Sequence, residues 1–202
     1  MAKLYIVPTP IGNLEDITLR AIRVLEEVDF ILAEDTRTSS VLLKHYNIDK
    51  PLRSHHKFNE HATAASVAEA IGEGRTVALV SDAGTPGISD PGYDLVQQCL
   101  AEDIPFTVLP GAVAAVTGLV LSGLPTDRFS FEGFIPRQKK ERLQYFQNLV
   151  QEERTMIFYE APHKLVATLE DMAEVFGAER PISLCRELTK GQNLTRCQRT
   201  IL

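Results

Sequence analysis

The densest group of reactive side chains in the sequence is Ala33-Glu34-Asp35-Thr36-Arg37, where two carboxylates and a guanidinium follow an apolar run. Adjacent carboxylates beside an arginine can orient a substrate or share a proton, so Glu34, Asp35 and Arg37 are candidate catalytic residues. The structural alternative is that Asp35 caps the following helix and pairs with Arg37. The residue types alone leave both interpretations open.

Two further segments are rich in glycine and proline. Residues 8–13 read PTPIGN, and residues 81–92 read SDAGTPGISDPG, with small side chains that expose backbone N–H and C=O groups to a ligand. Residues 81–92 contain neither GxxxxGK[ST] nor GxGxxG, so they are not a phosphate-binding loop of those types. Because both segments follow predicted strands, they predict a cleft for a small, largely apolar ligand.

Metal and covalent catalysis are not predicted. The histidines His55, His56 and His61 lie close together, but their spacing matches neither HExxH nor a zinc finger, and a polar rim of the cleft is the better interpretation. The three cysteines form neither a CxxC pair nor an even framework, which favours unpaired thiols over disulfides or a zinc site. No GxSxG elbow or cysteine nucleophile motif is present.

The elements that position these residues alternate between β-branched apolar runs and amphipathic stretches, which is typical of a parallel sheet. Asp16 and Asn59 are predicted helix N-caps. The first half is expected to be an α/β domain of about five strands. The predicted elements of this half are strands at 4–7, 30–32, 77–80 and 106–109 and a helix near 93–100.

The second half also has an α/β pattern. The pair Pro110-Gly111 precedes a run of small residues, so we place the domain boundary there and predict domains at residues 1–112 and 113–202. The predicted elements of the second half are strands at 129–134, 155–159 and 182–184 and helices at about 138–149 and 163–175.

Composition limits the classes of partner. The 202 residues are 44% hydrophobic and 24% charged, and no apolar run reaches the roughly 18 residues that span a bilayer. We therefore expect a cytoplasmic protein with no membrane partner. The net charge of -6 means that any contact with RNA must come from a local basic cluster. Two clusters qualify, RSHHK at 53–57 and RQKKER at 137–142, although each is also typical of a solvated turn or helix face.

Six motifs occur in an order that resembles a known family, the bacterial small-subunit ribosomal RNA cytidine 2′-O-methyltransferases of the tetrapyrrole-methylase superfamily. The resemblance covers nearly all of residues 4–190. The motifs are VPTPIGNLEDITLRA at 7–21, AEDTR at 33–37, SDAGTPGISDPG at 81–92, FEGFIP at 131–136, FYEAPHKL at 158–165 and CRELTK at 185–190.

This resemblance implies a two-domain α/β tetrapyrrole-methylase fold that binds S-adenosyl-L-methionine between its domains, usually as a homodimer. It also implies a substrate, the ribose 2′-hydroxyl of a cytidine in the decoding region of 16S rRNA within the small ribosomal subunit. The residues that the resemblance assigns to the cofactor are Pro10, Asp82, Ala83, Gly84, Val113, Ala114 and Tyr159.

The resemblance gives the polar clusters roles in RNA methylation. Glu34, Asp35 and Arg37 are expected to activate the ribose hydroxyl. The residues expected to contact RNA are His56, Lys57, Asn59, Glu60, Arg137, Lys139, Lys140 and Arg142. One departure concerns the cofactor, because Ala112 and Val113 stand where the family commonly has Pro and Ser.

The tail is a second departure. Residues 191–202 show neither strand alternation nor helical periodicity, so the second domain is expected to be C-terminally truncated. Two alternatives to RNA methylation are open. The first is methylation of a tetrapyrrole-type small molecule, for which the cofactor loops alone would look similar. The second, which the short tail suggests, is a non-catalytic remnant that binds only cofactor or RNA.

Overall fold

The computed structural model describes residues 3–56, 60–190 and 196–201 and divides into two compact units, Met1–Val113 and Ala114–Leu202. The elements of the first unit are strands β1 (Leu4–Ile6), β2 (Phe30–Ala33), β3 (Leu52–Ser54), β4 (Val77–Val80) and β5 (Phe106–Val108) and helices α1 (Leu19–Glu27), α2 (Thr36–His45), α3 (Glu60–Gly72) and α4 (Tyr93–Ala101).

The first unit is built on one parallel sheet with strand order β3-β2-β4-β1-β5. The prediction of about five strands is confirmed. The edge strand β3 was not predicted as a strand, because its Arg53 and Ser54 are exposed and carry no apolar signal. The guanidinium of Arg53 instead stacks on the ring of Phe30, 3.9 Å from its centroid.

The sheet is covered on both faces, which explains why its central strands are apolar at every position. Alternate residues of each strand point to opposite faces and join two separate cores. One core contains Leu4 and Leu79 with the apolar sides of α3 and α4. The other contains Val7 and Val80 with those of α1 and α2.

The starts of the helices differ from the sequence prediction at one position. Asp16 is not the N-cap of α1, because it ends a 3-10 helix, Leu14–Asp16, that precedes α1. The cap is Thr18, whose hydroxyl accepts a hydrogen bond from the N–H of Ala21 at 3.1 Å. The predicted cap Asn59 lies outside the described residues.

The second unit holds two small sheets. Strands β6 and β7 pair in parallel, and β8 and β9 pair antiparallel. Its core is formed by Ile135, Phe146 and Met172 and is closed by partly buried aromatic rings. The elements of this unit are α5 (Ala114–Ser122), β6 (Phe129–Phe134), α6 (Lys139–Asn148), β7 (Thr155–Tyr159), α7 (Leu165–Phe176), β8 (Pro181–Arg186) and β9 (Arg196–Ile201).

The tail was predicted to lack a strand, and this is wrong for β9. Its backbone pairs with β8 along six positions, from Arg196 opposite Arg186 to Ile201 opposite Pro181. Backbone hydrogen bonds hold an edge strand even where its sequence is polar and does not alternate. Residues 191–195 and 202 lie outside the described residues.

The cysteines differ from the expectation of unpaired thiols. Cys185 is disulfide-bonded, whereas Cys99 is a buried free thiol. The antiparallel register places the backbone of Cys197 opposite that of Cys185, a proximity that linear spacing does not reveal.

Candidate functional site

The first unit has a topological switch point between β1 and β4. These strands are neighbours in the sheet, yet the chain leaves β1 through α1 on one face and leaves β4 through α4 on the other. Such a divergence opens a crevice at the carboxyl ends of the two strands, where ligands bind in open α/β sheets. The two segments rich in glycine and proline, residues 8–13 and 81–92, both begin there.

Hydrogen bonds join residues 8–13 to residues 81–92. The N–H of Thr9 donates to the carbonyl of Gly84 at 2.9 Å, and the N–H of Gly84 donates to the carbonyl of Thr9 at 3.0 Å. The buried hydroxyl of Thr9 also donates to the carbonyl of Ser81 at 3.0 Å. The loops after β1 and β4 therefore form one rigid unit, with Pro10 buried and Asp82 and Ala83 exposed beside it.

Two glycines allow a third loop, residues 110–113 after β5, to pack against this unit. A Cβ on Gly111 would lie 2.6 Å from the Cβ of Pro8, a distance that real side chains do not reach. Gly84 has a φ of 88°, which L side chains rarely adopt, and lies near the carbonyl of Ala112. The close packing of these three loops therefore depends on both glycines.

Carboxylates collect at the carboxyl ends of β2 and β4. Partial burial, together with the charges of Asp90 and Asp82, raises the pKa of Glu34. Partial burial and the charge of Asp82 likewise raise the pKa of Asp90. Asp90 belongs to a motif that sequence reasoning identified, but the spacing alone did not reveal that its carboxylate influences Glu34.

Asp35 differs from Glu34 although they are neighbours in sequence. Its carboxylate accepts hydrogen bonds from the backbone N–H of Arg37 at 2.8 Å and from the Arg37 guanidinium at 2.7 Å, and these bonds lower its pKa to about 2. Asp35 is also the N-cap of α2. The capping and ion-pair interpretation is confirmed, and the backbone N–H of Asp35 further bonds Asp82 at 3.1 Å.

In the second unit, an aromatic cluster marks the carboxyl ends of β6 and β7. The ring of Tyr159 contacts those of Phe131 and Phe134, with centroids 5.1 Å and 5.5 Å away. A cavity of about 500 Å³ opens beyond Phe134 and is lined by Arg137, His163 and Lys164. Sequence reasoning assigned no role to His163 or Lys164, although both follow the end of β7 in the FYEAPHKL motif.

The basic side chains of the cluster 137–142 differ in burial and in their partners. Arg142 is buried, and its guanidinium bonds the buried carboxylate of Asp171 at 2.6 Å. Lys139 also reaches Asp171, at 3.2 Å, while its side chain stays largely exposed. Arg137 and Lys140 are exposed and form no ion pair within the described residues. The prediction that Arg142 contacts RNA is therefore corrected, because its guanidinium is occupied inside the fold.

The remaining predicted RNA contacts are only partly described. His55 is fully buried and His56 is half-buried at the end of β3. Lys57 and Asn59 lie outside the described residues, and Glu60 begins α3 with its side chain likewise outside them. No group of three or more His, Cys, Asp or Glu side chains converges as a metal site in the described part of the chain.

A comparison with known protein families covers nearly the whole chain. The model of the tetrapyrrole (corrin/porphyrin) methylases matches residues 3–200. The chain belongs to the tetrapyrrole methylase family.

Curated relatives of this tetrapyrrole methylase are named "Ribosomal RNA small subunit methyltransferase I". That from Pasteurella multocida is 54% identical over 187 residues, which cover 93% of this chain and 66% of the relative. That from Thermotoga maritima is 48% identical over 190 residues, which cover 94% and 85%.

Solved structures agree on the fold of this tetrapyrrole methylase. A uroporphyrin-III-C-methyltransferase from Thermus thermophilus superposes with a TM-score of 0.68 at 24% identity, covering 100% of this chain and 86% of that one. A diphthine synthase superposes with a TM-score of 0.71 at 12% identity, covering 97% and 81%. At such identities the similarity concerns the fold alone.

This tetrapyrrole methylase matches only part of the length of several relatives. The chain spans about two thirds of the length of several relatives, 66% for those from Pasteurella multocida and Haemophilus influenzae. No helix in the described parts of the chain is long and apolar enough to cross a bilayer.

Proposed function

We propose that this chain carries an S-adenosyl-L-methionine-dependent methyltransferase activity directed at the ribose 2′-hydroxyl of a cytidine in the decoding region of 16S rRNA. The observation that carries the proposal is 48–54% identity, over more than nine tenths of the chain, to relatives named for methylation of small-subunit ribosomal RNA. The choice of cytidine and of the 2′-oxygen rests on the resemblance of the AEDTR motif at 33–37, and of the HKFNE segment at 56–60, to the 2′-O-methyltransferases.

The loops after β1, β4 and β5 support the binding of this cofactor. Its sulfonium would supply an electrophilic methyl carbon, so neither a metal nor a covalent enzyme intermediate is required. The 81–92 loop has small residues, of which Asp82 and Ala83 are exposed, so a ligand can approach its backbone closely, while Gly84 and Gly111 let the neighbouring loops pack against each other. The residues proposed to hold it are Pro10, Asp82, Ala83, Gly84, Val113, Ala114 and Tyr159.

We assign the proton acceptor to Glu34. A ribose hydroxyl is a very weak acid, and a base whose pKa lies nearer to neutrality removes its proton more efficiently. The raised pKa of Glu34 suits this role, whereas the pKa of about 2 makes Asp35 a poor base. Asp35 and Arg37 then act as positioning residues, which fix the start of α2 directly after Glu34.

The RNA is proposed to contact Arg137, Lys139 and Lys140, together with the rim residues His56, Lys57, Asn59 and Glu60. A chain with a net charge of -6 needs such local positive surface to approach a polyanion. The small ribosomal subunit as partner also implies a cytoplasmic location. We also propose that the chain forms a homodimer and has no membrane partner.

The test is incubation of the purified chain with radiolabelled S-adenosyl-L-methionine and small ribosomal subunits that lack the modification, beside calorimetry of cofactor binding. We expect label in 16S rRNA, at a cytidine 2′-oxygen after nuclease digestion. Label in a small molecule but not in rRNA would reject the RNA substrate. Cofactor binding without any transfer would reject catalysis by this chain.

A further inference from the structure

The cavity of the second unit combines positive charge with an exposed aromatic ring. Its lining residues lie at the ends of two neighbouring parallel strands, within 134–137 at the end of β6 and within 160–164 after β7. Three of these residues, Arg137, His163 and Lys164, carry side chains that donate hydrogen bonds to anions. None of the three forms an ion pair with another described residue, so their donors remain available to a ligand.

The single acidic residue in the cavity wall is already engaged. The carboxylate of Glu160 accepts hydrogen bonds from the N–H of Ala161 at 2.7 Å and from the buried hydroxyl of Thr168 at 2.6 Å. Glu160 therefore fixes the turn between β7 and α7, and its two oxygens face protein donors. The cations outnumber this carboxylate, so the cavity as a whole favours an anion.

The loop that carries Arg137 is held from inside the unit. The buried guanidinium of Arg142 bonds the carbonyl of Arg137 at 3.1 Å while it pairs with Asp171. A loop fixed in this way presents the Arg137 side chain from a defined backbone position. Because the backbone of this loop is already fixed, less conformational entropy is lost when a ligand binds to Arg137.

The wall nearest to the strand ends is aromatic. The Phe134 ring is 62% exposed and makes an edge-to-face contact with the ring of Tyr159. An exposed, supported ring beside cationic side chains is the arrangement by which proteins hold unpaired nucleotides, with the base stacked on the ring and the phosphate bound by the cations.

We propose that this cavity is a nucleotide subsite for single-stranded RNA, in which Phe134 stacks a base and Arg137, His163 and Lys164 bind an adjacent backbone phosphate. The inference rests on the proposed RNA substrate. It adds to that proposal Phe134, His163 and Lys164, which the sequence analysis did not assign to RNA, and a place in the fold where RNA is held.

The experiment measures binding without cofactor, by fluorescence anisotropy of a labelled single-stranded RNA oligonucleotide of about ten nucleotides with the full chain. Arg137→Ala and Lys164→Ala are expected to weaken binding about fivefold and to lower the slope of log affinity against log salt by about 0.7 each. Phe134→Leu is expected to weaken binding about tenfold with an unchanged salt slope.

Arg128→Ala is the matched control, because Arg128 is an exposed arginine of the same unit that precedes β6 rather than following it. It should bind RNA like the parent chain, and Arg137→Lys should keep the salt slope. Equal losses in Arg128→Ala and Arg137→Ala would overturn the subsite. So would unchanged binding in Phe134→Leu and both cavity cation variants, with folding checked by thermal melting.

Competition distinguishes RNA from free phosphate. At constant ionic strength, inorganic phosphate should displace the oligonucleotide far less effectively than unlabelled RNA. Equal displacement per phosphate would overturn an RNA subsite in favour of a free-phosphate site. Failure of the subsite is separable from failure of the proposed function, because methyl transfer to ribosomal subunits is scored independently of oligonucleotide binding.

Discussion

Glu34 and Asp35 are adjacent carboxylates with opposite electrostatic environments. Burial and neighbouring carboxylates raise the pKa of Glu34, and the Arg37 bonds lower that of Asp35 to about 2. Pairs of titratable groups whose pKa values are driven apart are typical of enzymes that assign them different roles. The sequence identified both residues as candidates but could not separate them, since burial and the approach of Asp90 depend on the tertiary fold.

We predict that Glu34→Gln lowers methyl transfer at least about 100-fold while leaving cofactor affinity intact, because the ribose hydroxyl loses its proton acceptor. In the parent chain, single-turnover labelling should fall as the pH drops through the raised pKa of Glu34, since only the ionised carboxylate accepts the proton. Glu26→Gln, an exposed glutamate on α1, is the control. Parent-like turnover in Glu34→Gln would remove Glu34 from the mechanism.

Glu34→Gln should also raise the thermal stability of the chain at neutral pH. A carboxyl group whose pKa is raised in the folded state costs stability when it ionises, so the cost is absent below its ordinary pKa of 4.5 and develops as the pH rises through the folded pKa. Glu34→Gln should therefore melt at a higher temperature than the parent chain at neutral pH. The difference should vanish near pH 4 if the fold survives there.

At the scale of elements, the crevice depends on how closely the loops after β1 and β5 approach. Gly111→Ala is predicted to destabilise the chain by about 1–3 kcal/mol, because the added methyl would overlap Pro8. Cofactor affinity measured by calorimetry should fall with it. Gly72→Ala, at the end of α3 with nothing near its Cβ position, is the control and should be neutral or slightly stabilising. Equal melting temperatures for the two variants would contradict this packing.

Helices α6 and α7 are joined by the buried ion pair of Arg142 and Asp171. Burial alone would raise the pKa of Asp171, but hydrogen bonds from Arg142 and Lys139 hold it below its ordinary value. Arg142→Met is predicted to cost about 3 kcal/mol in urea unfolding, because it leaves the buried carboxylate with only the largely exposed Lys139 ammonium as a partner. The double variant Arg142→Met with Asp171→Leu should recover most of that loss.

The control for this pair is Lys140→Met, which removes an exposed charge two residues away and should change stability little. A loss in the double variant as large as that in Arg142→Met would show that the pair itself, rather than an unpaired charge, carries the stability. The stabilisation by Asp171 should also be lost as the pH falls through its lowered pKa, since protonation removes the ion pair.

The sequence predicted those elements whose residues are apolar on the buried side. Strands β2 and β4 are buried at every position, so their composition revealed them. Strands β3 and β9 escaped prediction because backbone pairing with a neighbouring strand, rather than side-chain pattern, holds them. Arg142 was misassigned for a related reason: its partner Asp171 lies on another helix, and no local signal marks a charge as buried.

At the scale of the whole molecule, the proposed state is a homodimer. Light scattering coupled to size exclusion should give a mass of twice 22.4 kDa for the purified chain. The mass should persist on dilution through the micromolar range, since a stable dimer buries a large, mainly apolar surface. A single mass of 22.4 kDa at all concentrations would reject the dimer.

The position of β1 in the sheet has a consequence for synthesis. β1 precedes the other strands of its sheet in the chain, and its partners β4 and β5 lie about 70 and 100 residues further along. At about 5–20 residues per second, the ribosome needs several seconds to supply them. During that interval β1 has no neighbouring strand to pair with, and its apolar side chains are not buried. The nascent chain is therefore expected to bind chaperones that shield hydrophobic segments.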